Sequence, residues 1–430
     1  MFRLRGITRN VVILGWVSLL TDLASEMLYP VMPLFLMGLP GGSPLLLGWI
    51  DGLAEGVSSG LRWLGGALSD RFQHRKPFVA TGYAISAFSK PIMGLAAVVL
   101  GWPLFLVGRI ADRFGKSIRT SARDALIADS TDPTYRGVAF GLHRAMDTTG
   151  AIIGPLLALG IVVLWVGPGF AFSSRWGSGQ GGMGQFQNLP LMWLFFIALV
   201  PGLFSVLLTI LGVREIRPQR ASSQAGSPPT LLQAYPWPFW HLILANAVFS
   251  LGNSSDSFLI LRSSQMGLSF GYIILAFALY NAVYALASVP LGKLSDLIGR
   301  KPVIISGWIT YALVYAGFAV FRWPWAPLIL FGIYGLYQAF TEGVTKAMIS
   351  DLVPSHQRAG AIGLFYTVSG LGQLLASVLA GLLWEIRLLD GHGMVAFAMG
   401  SAFALAAVPI IATVPRSRST PAFEVTPAKS

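Results

Sequence analysis

Apolar residues in this chain fall into long runs and do not alternate with polar ones. Twelve runs reach the length of about 20 helical residues that a hydrocarbon core requires: 11–37, 45–68, 77–100, 103–127, 138–164, 189–212, 239–260, 271–291, 302–321, 325–349, 360–383 and 394–414. Each is predicted to be helical, because a backbone in lipid must satisfy its own polar groups. Pro30, Pro33, Pro91 and Pro155 predict kinks within these helices. The first run follows Arg3, Arg5 and Arg9 but contains Asp22 and Glu26 and lacks a small-residue cleavage site, so it reads as a retained first helix.

The polar positions between the runs set the topology. With both termini inside, the inside segments hold 17 Lys and Arg, and the outside segments hold only Arg175, Arg262, Arg322 and Arg387. That is a strong positive-inside bias, and it requires an even number of helices. Residues 214–238, rich in Pro, Ser and Arg, read as a cytoplasmic linker, and the Gly/Ser-rich stretch 167–187 as an external loop. The expected organisation is an N-terminal six-helix bundle (1–213), the linker (214–238), a C-terminal six-helix bundle (239–414) and a cytoplasmic tail (415–430).

Composition agrees. The chain is 54% hydrophobic and 11% charged, against about 25% charged in soluble domains, so lipid is the solvent for most of it. The net charge of +12 is spread in short clusters, without the basic–aromatic platform of a nucleic-acid binder. Cysteine is absent, which excludes disulfides and thiol chemistry.

The two halves repeat each other. GALSDRFQHRKP at 66–77 is echoed by GKLSDLIGRKP at 292–302, and ALIADSTDPTYRGVAFGL at 125–142 by AMISDLVPSHQRAGAIGL at 347–364. Parallel six-helix repeats are an established transporter plan, with the substrate site between them near the midplane. The loop pattern G-x-x-x-D-[RK]-x-G-x-[RK]-[RK] is carried by Gly66, Asp70, Arg71, Arg75 and Lys76, with Gln73 at the second glycine. A second copy, one residue shorter, is carried by Gly292, Asp296, Gly299, Arg300 and Lys301. The first helix holds Pro30 and Pro33 as PxxP; the fifth holds Gly150, Gly154 and Pro155 as G-x-x-x-G-P, with Ala158 in place of a final Gly.

In these motifs, their order and their register, the sequence resembles the major facilitator superfamily over nearly its whole length. The resemblance implies twelve helices in two pseudo-symmetric bundles, an all-α membrane protein working by alternating access. Within the family it is similar to the bacterial twelve-helix proton-coupled exporters. Arg109 matches the family's fourth-helix Arg. The usual Q-G after it is replaced by Asp112-Arg113, and Lys116, Arg119, Arg123 and Asp124 follow, which suggests a distinct branch.

The loop motif also has a physical reading. Asp70 and Asp296 lie beside basic residues at helix ends, and Asp129 and Asp351 close the fourth and tenth helices. Together they are expected to form a cytoplasmic gate that makes ion pairs in one state and breaks them in another.

Nine bases and nine acids remain inside the runs. Each would cost roughly 2.5–3.5 kcal/mol at a lipid-facing helix centre, on the order of 50 kcal/mol together, far above the roughly 5–15 kcal/mol stability of a protein. They must be paired, hydrated in a cavity or close to an interface. At 100° per residue, Arg109, Asp112, Arg113, Lys116, Arg119 and Arg123 fall within an arc of about 120°, one polar stripe on the fourth helix. Asp22 and Glu26 lie one turn apart on the first helix, Asp51 and Glu55 on the second with Arg62 beyond them, and His143, Arg144 and Asp147 within one turn on the fifth. These acidic helices are the expected partners of the stripe.

The N-terminal half holds eight of the nine bases and seven of the nine acids; the C-terminal half keeps Asp256 and the i,i+4 pair Glu342 and Lys346. Coupling chemistry is therefore expected in the N-terminal half, with Asn246, Asn253, Tyr280, Asn281 and Gln338 lining a wall opposite. The stripe either binds an anionic or metal-chelating solute through Arg113, Lys116 and Arg119, or is a pre-paired network that never touches substrate; the near balance of charge favours the network. Asp22, Glu26 and Asp147 are the proton-carrier candidates, since removal from water favours the neutral carboxyl. His143 titrates near physiological pH but reads as structural. No cluster has metal-ligand spacing, and neither a metal nor a cofactor is expected.

The reading is a multi-pass protein of a bacterial inner membrane, monomeric, in contact with lipid, a small-molecule substrate and protons but not nucleic acid. Its expected work is proton-coupled efflux of a small organic solute. The rivals are uptake or exchange of an organic anion, and a transport-dead sensor or assembly factor on the same fold. An enzyme is disfavoured: no nucleophile–base constellation and no phosphate-binding G-x-x-x-x-G-K-[ST] motif is present.

Overall fold

The computed structural model describes residues 7–72, 74–132, 135–173, 188–215, 235–354, 358–386 and 393–414, apart from the side chains of 60, 62–72, 136–137, 173, 188–189 and 359. All regular structure among them is helical. The N-terminal part contains α1 (Arg9–Glu26), α2 (Met32–Met37), α3 (Pro44–Phe72), α4 (Arg75–Leu95), α5 (Trp102–Asp129), α6 (Arg136–Trp165), α7 (Pro168–Ser173), α8 (Asn188–Ile197) and α9 (Leu199–Gly212). The C-terminal part contains α10 (Trp237–Gly252), α11 (Ser257–Gln265), α12 (Phe270–Ile298), α13 (Arg300–Val320), α14 (Ala326–Leu352), α15 (Arg358–Trp384) and α16 (Met394–Ala412).

With the six-residue α7 lying between spans, these segments make the twelve spans of two six-helix halves, because three of the spans are each built from two helices. The first run, expected as one kinked helix, is broken between α1 and α2: Pro30 has no N–H to give the carbonyl of Glu26, the last residue of α1. Pro201 likewise cannot bond Ile197, where α8 gives way to α9. The seventh span breaks at Asn253–Asp256, between α10 and α11, in a Gly-Asn-Ser-Ser-Asp stretch whose polar side chains compete for the backbone.

Among the described residues six helices are long and apolar enough by themselves to cross a membrane: Val138–Trp165, Pro190–Gly212, Phe270–Ile298, Arg300–Val320, Gly360–Trp384 and Met394–Ala412. Of the other spans, the first and seventh are broken and the rest carry charged residues within their length.

Within the N-terminal half α4 packs on α5, α1 on α6 and α3 on α5; within the C-terminal half α12 packs on α14, and α13 on α14 and α16. The halves meet where α3 crosses α15 and α6 crosses α12. The C-terminal half has an aromatic core: Tyr311 stacks on Tyr315 at 4.1 Å and lies 4.9 Å from Tyr337, and Phe249 stacks on Trp308 at 4.8 Å. The corresponding part of the N-terminal half is polar.

The two ends of the molecule differ. At one end the halves touch through glycine: a Cβ on Gly48 would lie 2.2 Å from the Ser377 carbonyl oxygen, and one on Gly381 2.8 Å from Leu45 Cα. At the other end, Gly141, Gly343 and Gly363 face open space. The open end is the one that carries the repeated loop motif.

There the N-terminal half is tied together by side chains. The Glu215 carboxylate accepts the backbone N–H of Arg75 and Lys76, both at 2.9 Å, and so caps the start of α4. Asn10 exchanges hydrogen bonds with the Arg214 backbone at 2.9 and 3.0 Å.

The G-x-x-x-G-P motif has a packing role. A Cβ on Gly150 would meet the Leu19 carbonyl oxygen at 2.4 Å, and one on Gly154 the Leu23 carbonyl oxygen at 2.7 Å. These two glycines bring the backbones of α6 and α1 together, the small-residue route to close helix association. Gly150→Leu is therefore expected to destabilise the fold by about 1–3 kcal/mol through overpacking. A thermal melt of the purified variant checks this, and an unchanged midpoint would mean that the contact is not tight.

Candidate functional site

A pocket opens into the N-terminal half between α1, α2, α4 and α5. Asp22, Ser25, Glu26, Tyr29 and Met32 line one side; Lys90, Met93 and the α5 residues Arg109, Asp112, Arg113, Lys116 and Arg119 line the other. Proximity to water distinguishes these charges. Lys90, Arg109, Asp112 and Arg119 are buried, whereas Lys116 is exposed to the cavity.

The stripe on α5 divides into paired and unpaired members. Arg109 donates to Asp51 Oδ1 from Nε at 3.2 Å and from Nη2 at 3.0 Å, and its guanidinium lies 5.7 Å from the centre of the Tyr29 ring. Asp51 also accepts from Ser255 Oγ at 2.8 Å, a bond between the halves. Asp112 accepts from Ser86 Oγ at 2.5 Å and lies 3.6 Å from Lys90 Nζ. Arg123 pairs with its neighbour Asp124 at 2.9 Å.

Arg113, Lys116 and Arg119 have no carboxylate within ion-pair distance among the described residues. Arg113 Nε and Arg119 Nη1 are buried without a hydrogen-bond acceptor. Arg119 stacks 4.8 Å from the Tyr83 ring centre; Arg113 faces Glu55, and Lys116 faces Asp22.

A second group lies where α1 crosses α6. The Asp22 and Asp147 carboxyls are neighbours. Ser18 Oγ donates to Asp147, and Arg144 Nη1 lies 3.6 Å from its other oxygen. The close approach of α1 and α6 at Gly150 and Gly154 places the two acids side by side.

Arg144 also reaches across the halves. Its Nη2 is 3.2 Å from Glu342 on α14, and it bonds Tyr284 of α12, whose hydroxyl donates to the same carboxylate. Glu342 further pairs with Lys346 at 3.4 Å, and Lys346 sits over Tyr366 at 5.6 Å. A continuous chain of charge thus runs from Asp22 through Asp147, Arg144 and Glu342 to Lys346, joining both halves beside the cavity.

Other sequence-predicted residues lie elsewhere. His143 is buried, with Nε2 unpaired. Asp256 accepts from Tyr334 at 2.7 Å, Asn246 donates to Ser369 at 2.9 Å, and Asn281 to the Phe277 carbonyl at 3.2 Å, so these fasten the C-terminal half internally. In the loop motif Arg75 meets Asp129 at 2.6 Å, and Arg300 meets Asp296 and, at 3.5 Å, Asp351. All these pairs lie within one half, so none holds the halves together at the open end. Lys301 donates to the Ala412 and Val414 carbonyls at 2.9 and 2.8 Å. The side chains of Arg62, Asp70 and Arg71 lie outside the described residues, as does most of the 214–238 stretch.

Ser18, Ser86, Ser255 and Tyr284 are polar partners that no sequence motif singled out. Two had a local signal: Ser18 is one turn before Asp22, and Tyr284 one turn after Tyr280.

Comparison with known proteins gives this geometry a context. The sequence profile of the Major Facilitator Superfamily matches residues 14–272 and 242–426. A protein of Methanocaldococcus jannaschii described as an uncharacterised MFS-type transporter is 37% identical over 388 residues, covering 89% of this chain and 90% of that one. The multidrug resistance protein MdtH of Photorhabdus laumondii is 31% identical over 166 residues, covering 37% of this chain and 40% of that one. Among solved structures a D-xylose–proton symporter superposes with a TM-score of 0.74 at 14% identity, over 95% of this chain and 98% of that one, a likeness of fold.

The paired and unpaired cations should respond differently to substitution. Asp51→Asn leaves Arg109 buried without its counter-charge and is expected to cost about 3–5 kcal/mol. Lys116→Gln, at an unpaired and exposed position, should stay within about 0.5 kcal/mol of the parent. Thermal melts of both variants test this division, which equal losses would contradict.

Proposed function

Because the chain belongs to the Major Facilitator Superfamily and is a multi-pass membrane transporter, we propose that it moves a small organic solute by proton-coupled alternating access. The observation that carries this reading is the Asp22–Asp147 pair, two carboxyls in contact at the α1–α6 crossing beside an open cavity. A proton carrier must be reachable from water in one state and must alter its contacts when it changes charge. Asp22 lines the cavity, and Asp147 shares Arg144 with Glu342 of the other half. Loss of a proton from this pair adds a negative charge beside Arg144 and competes with Glu342 for it. The charge state of the pair thereby biases the contact between the halves, which is what a coupled two-state carrier requires.

The positive-inside count supports a cytoplasmic location for both termini in an inner membrane, which makes the open end cytoplasmic and the state inward-facing. The membrane potential then contributes about 2.3 kcal/mol per elementary charge per 100 mV to inward proton movement. Export by proton exchange is supported by the PxxP and G-x-x-x-G-P motifs and by the similarity of part of the chain to the multidrug resistance protein MdtH. A second reading, uptake or exchange of an organic anion, is supported by the three unpaired cations of the pocket. Monomeric function is part of this proposal.

A thermal-shift screen of metabolites, chelators and drugs at two pH values identifies a solute for transport assays in proteoliposomes. Asp22→Asn is expected to lower pH-gradient-driven transport at least tenfold while the protein melts as the parent does. Internal acidification read with a pH-sensitive dye provides the check. Undiminished coupling in both Asp22→Asn and Asp147→Asn would remove the carboxyl pair from the mechanism.

A further inference from the structure

We infer that the α5 cations form the binding site for the acidic group of the solute, a carboxylate or phosphate, and that this anion and the proton bind together, so that they travel in the same direction. This rests on the proton-coupled reading and decides between its two forms.

The first observation is the unfilled donors. Arg119 is 5% exposed, lines the pocket, and has Nη1 without an acceptor; Arg113 Nε is in the same condition one and a half turns before it. A guanidinium N–H buried without a partner is costly. Between the two lies Lys116, exposed into the same space and free of any ion pair among the described residues. Three cations on two turns of one helix, converging on one pocket with their neighbours Arg109 and Lys90 already matched, leave donor capacity only for something that enters. A carboxylate or phosphate oxygen supplies the acceptors, and Arg recognises both in a forked geometry.

The second observation is what surrounds the proton. The Asp22–Asp147 pair is faced by Glu26 from its own helix, by Lys116 and Arg123 from α5, and by His143 and Arg144 from α6. Tyr284 and Glu342 of the other half lie beyond Arg144, and Glu55 of α3 faces Arg113. Asp22 therefore acts on the same lysine that an entering anion would use. When the pair is ionised it competes with the anion for Lys116. When it takes up a proton, that competition ends and the net charge around the pocket rises by one. By linkage, protonation strengthens anion binding and the anion strengthens proton binding by the same factor. Exchange would require the opposite sign, with proton and solute displacing each other. A bound anion thus makes this protein a co-transporter, and an inward proton gradient drives uptake.

The test uses the full chain in nanodiscs, titrated at pH 6 and pH 8 with inorganic phosphate, succinate, citrate, a neutral sugar and tetraphenylphosphonium, and read by thermal shift and calorimetry. At least one of the anions is expected to stabilise the protein, at least tenfold more tightly at the lower pH, while the sugar and the organic cation do not. Which anions bind separates carboxylate from phosphate recognition. Lys116→Gln and Arg113→Gln should each weaken that anion at least tenfold, and Lys116→Arg should restore it. Asp22→Asn should bind it with high affinity at both pH values. Anion binding that depends on the cations but not on pH or on Asp22 would keep the site and overturn co-transport. Binding of the organic cation alone, no binding by any anion, or tighter anion binding at higher pH would overturn the inference as a whole.

Discussion

A charge placed among membrane helices has to be matched by another group or by trapped water, because neither lipid nor a packed interior solvates it. That constraint governs the N-terminal half. Arg109 is held by Asp51, Lys90 by Asp112, and Arg123 by Asp124. Once these matches are made, Arg113, Lys116 and Arg119 remain without an ion pair among the described residues, and all three line the pocket. The site is the residue of the pairing, three cations from α5 facing two carboxyl clusters from α1, α3 and α6.

The acids are positioned by close backbone contact. Gly150 and Gly154 have no side chain to keep α6 away from α1, so Asp147 comes beside Asp22. A motif that resembles an exporter signature thus has a local physical meaning, quite apart from direction of transport. It brings two carboxyls together where α1 crosses α6.

The contacts between the halves explain how such a proton can matter at a distance. On the closed side the halves meet through glycines packed on backbone, at Gly48 and Gly381. Next to these glycines Asp51 bonds Ser255, and beside the cavity the halves meet through Arg144 with Glu342 and Tyr284. A polar bond to a carboxylate depends on charge state, and a glycine–backbone contact does not. The Arg144–Glu342 contact, which Asp147 shares, is therefore one that a change of charge can weaken.

Much of this was legible in the chain. The apolar runs, the repeat and the charge bias determined twelve helices in two halves, because lipid forces each segment to satisfy its own backbone and charge asymmetry sets its direction. Helical periodicity placed Arg109 through Arg123 on one stripe and Asp22 with Glu26 on one face, since those spacings are local. Three helix breaks were not visible from hydropathy, which is blind to a missing N–H at Pro30 or Pro201. The pairing was also hidden. Whether Arg109 meets Asp51 while Lys116 makes no ion pair among the described residues depends on which helices cross and how closely, and the sequence separation of partners such as Arg144 and Glu342 carries no trace of it. Sequence alone determined how many buried charges had to be accommodated; only the tertiary structure decided which of them neutralise each other and which are left facing the cavity, because ion pairing is a matter of distances that a one-dimensional pattern does not contain.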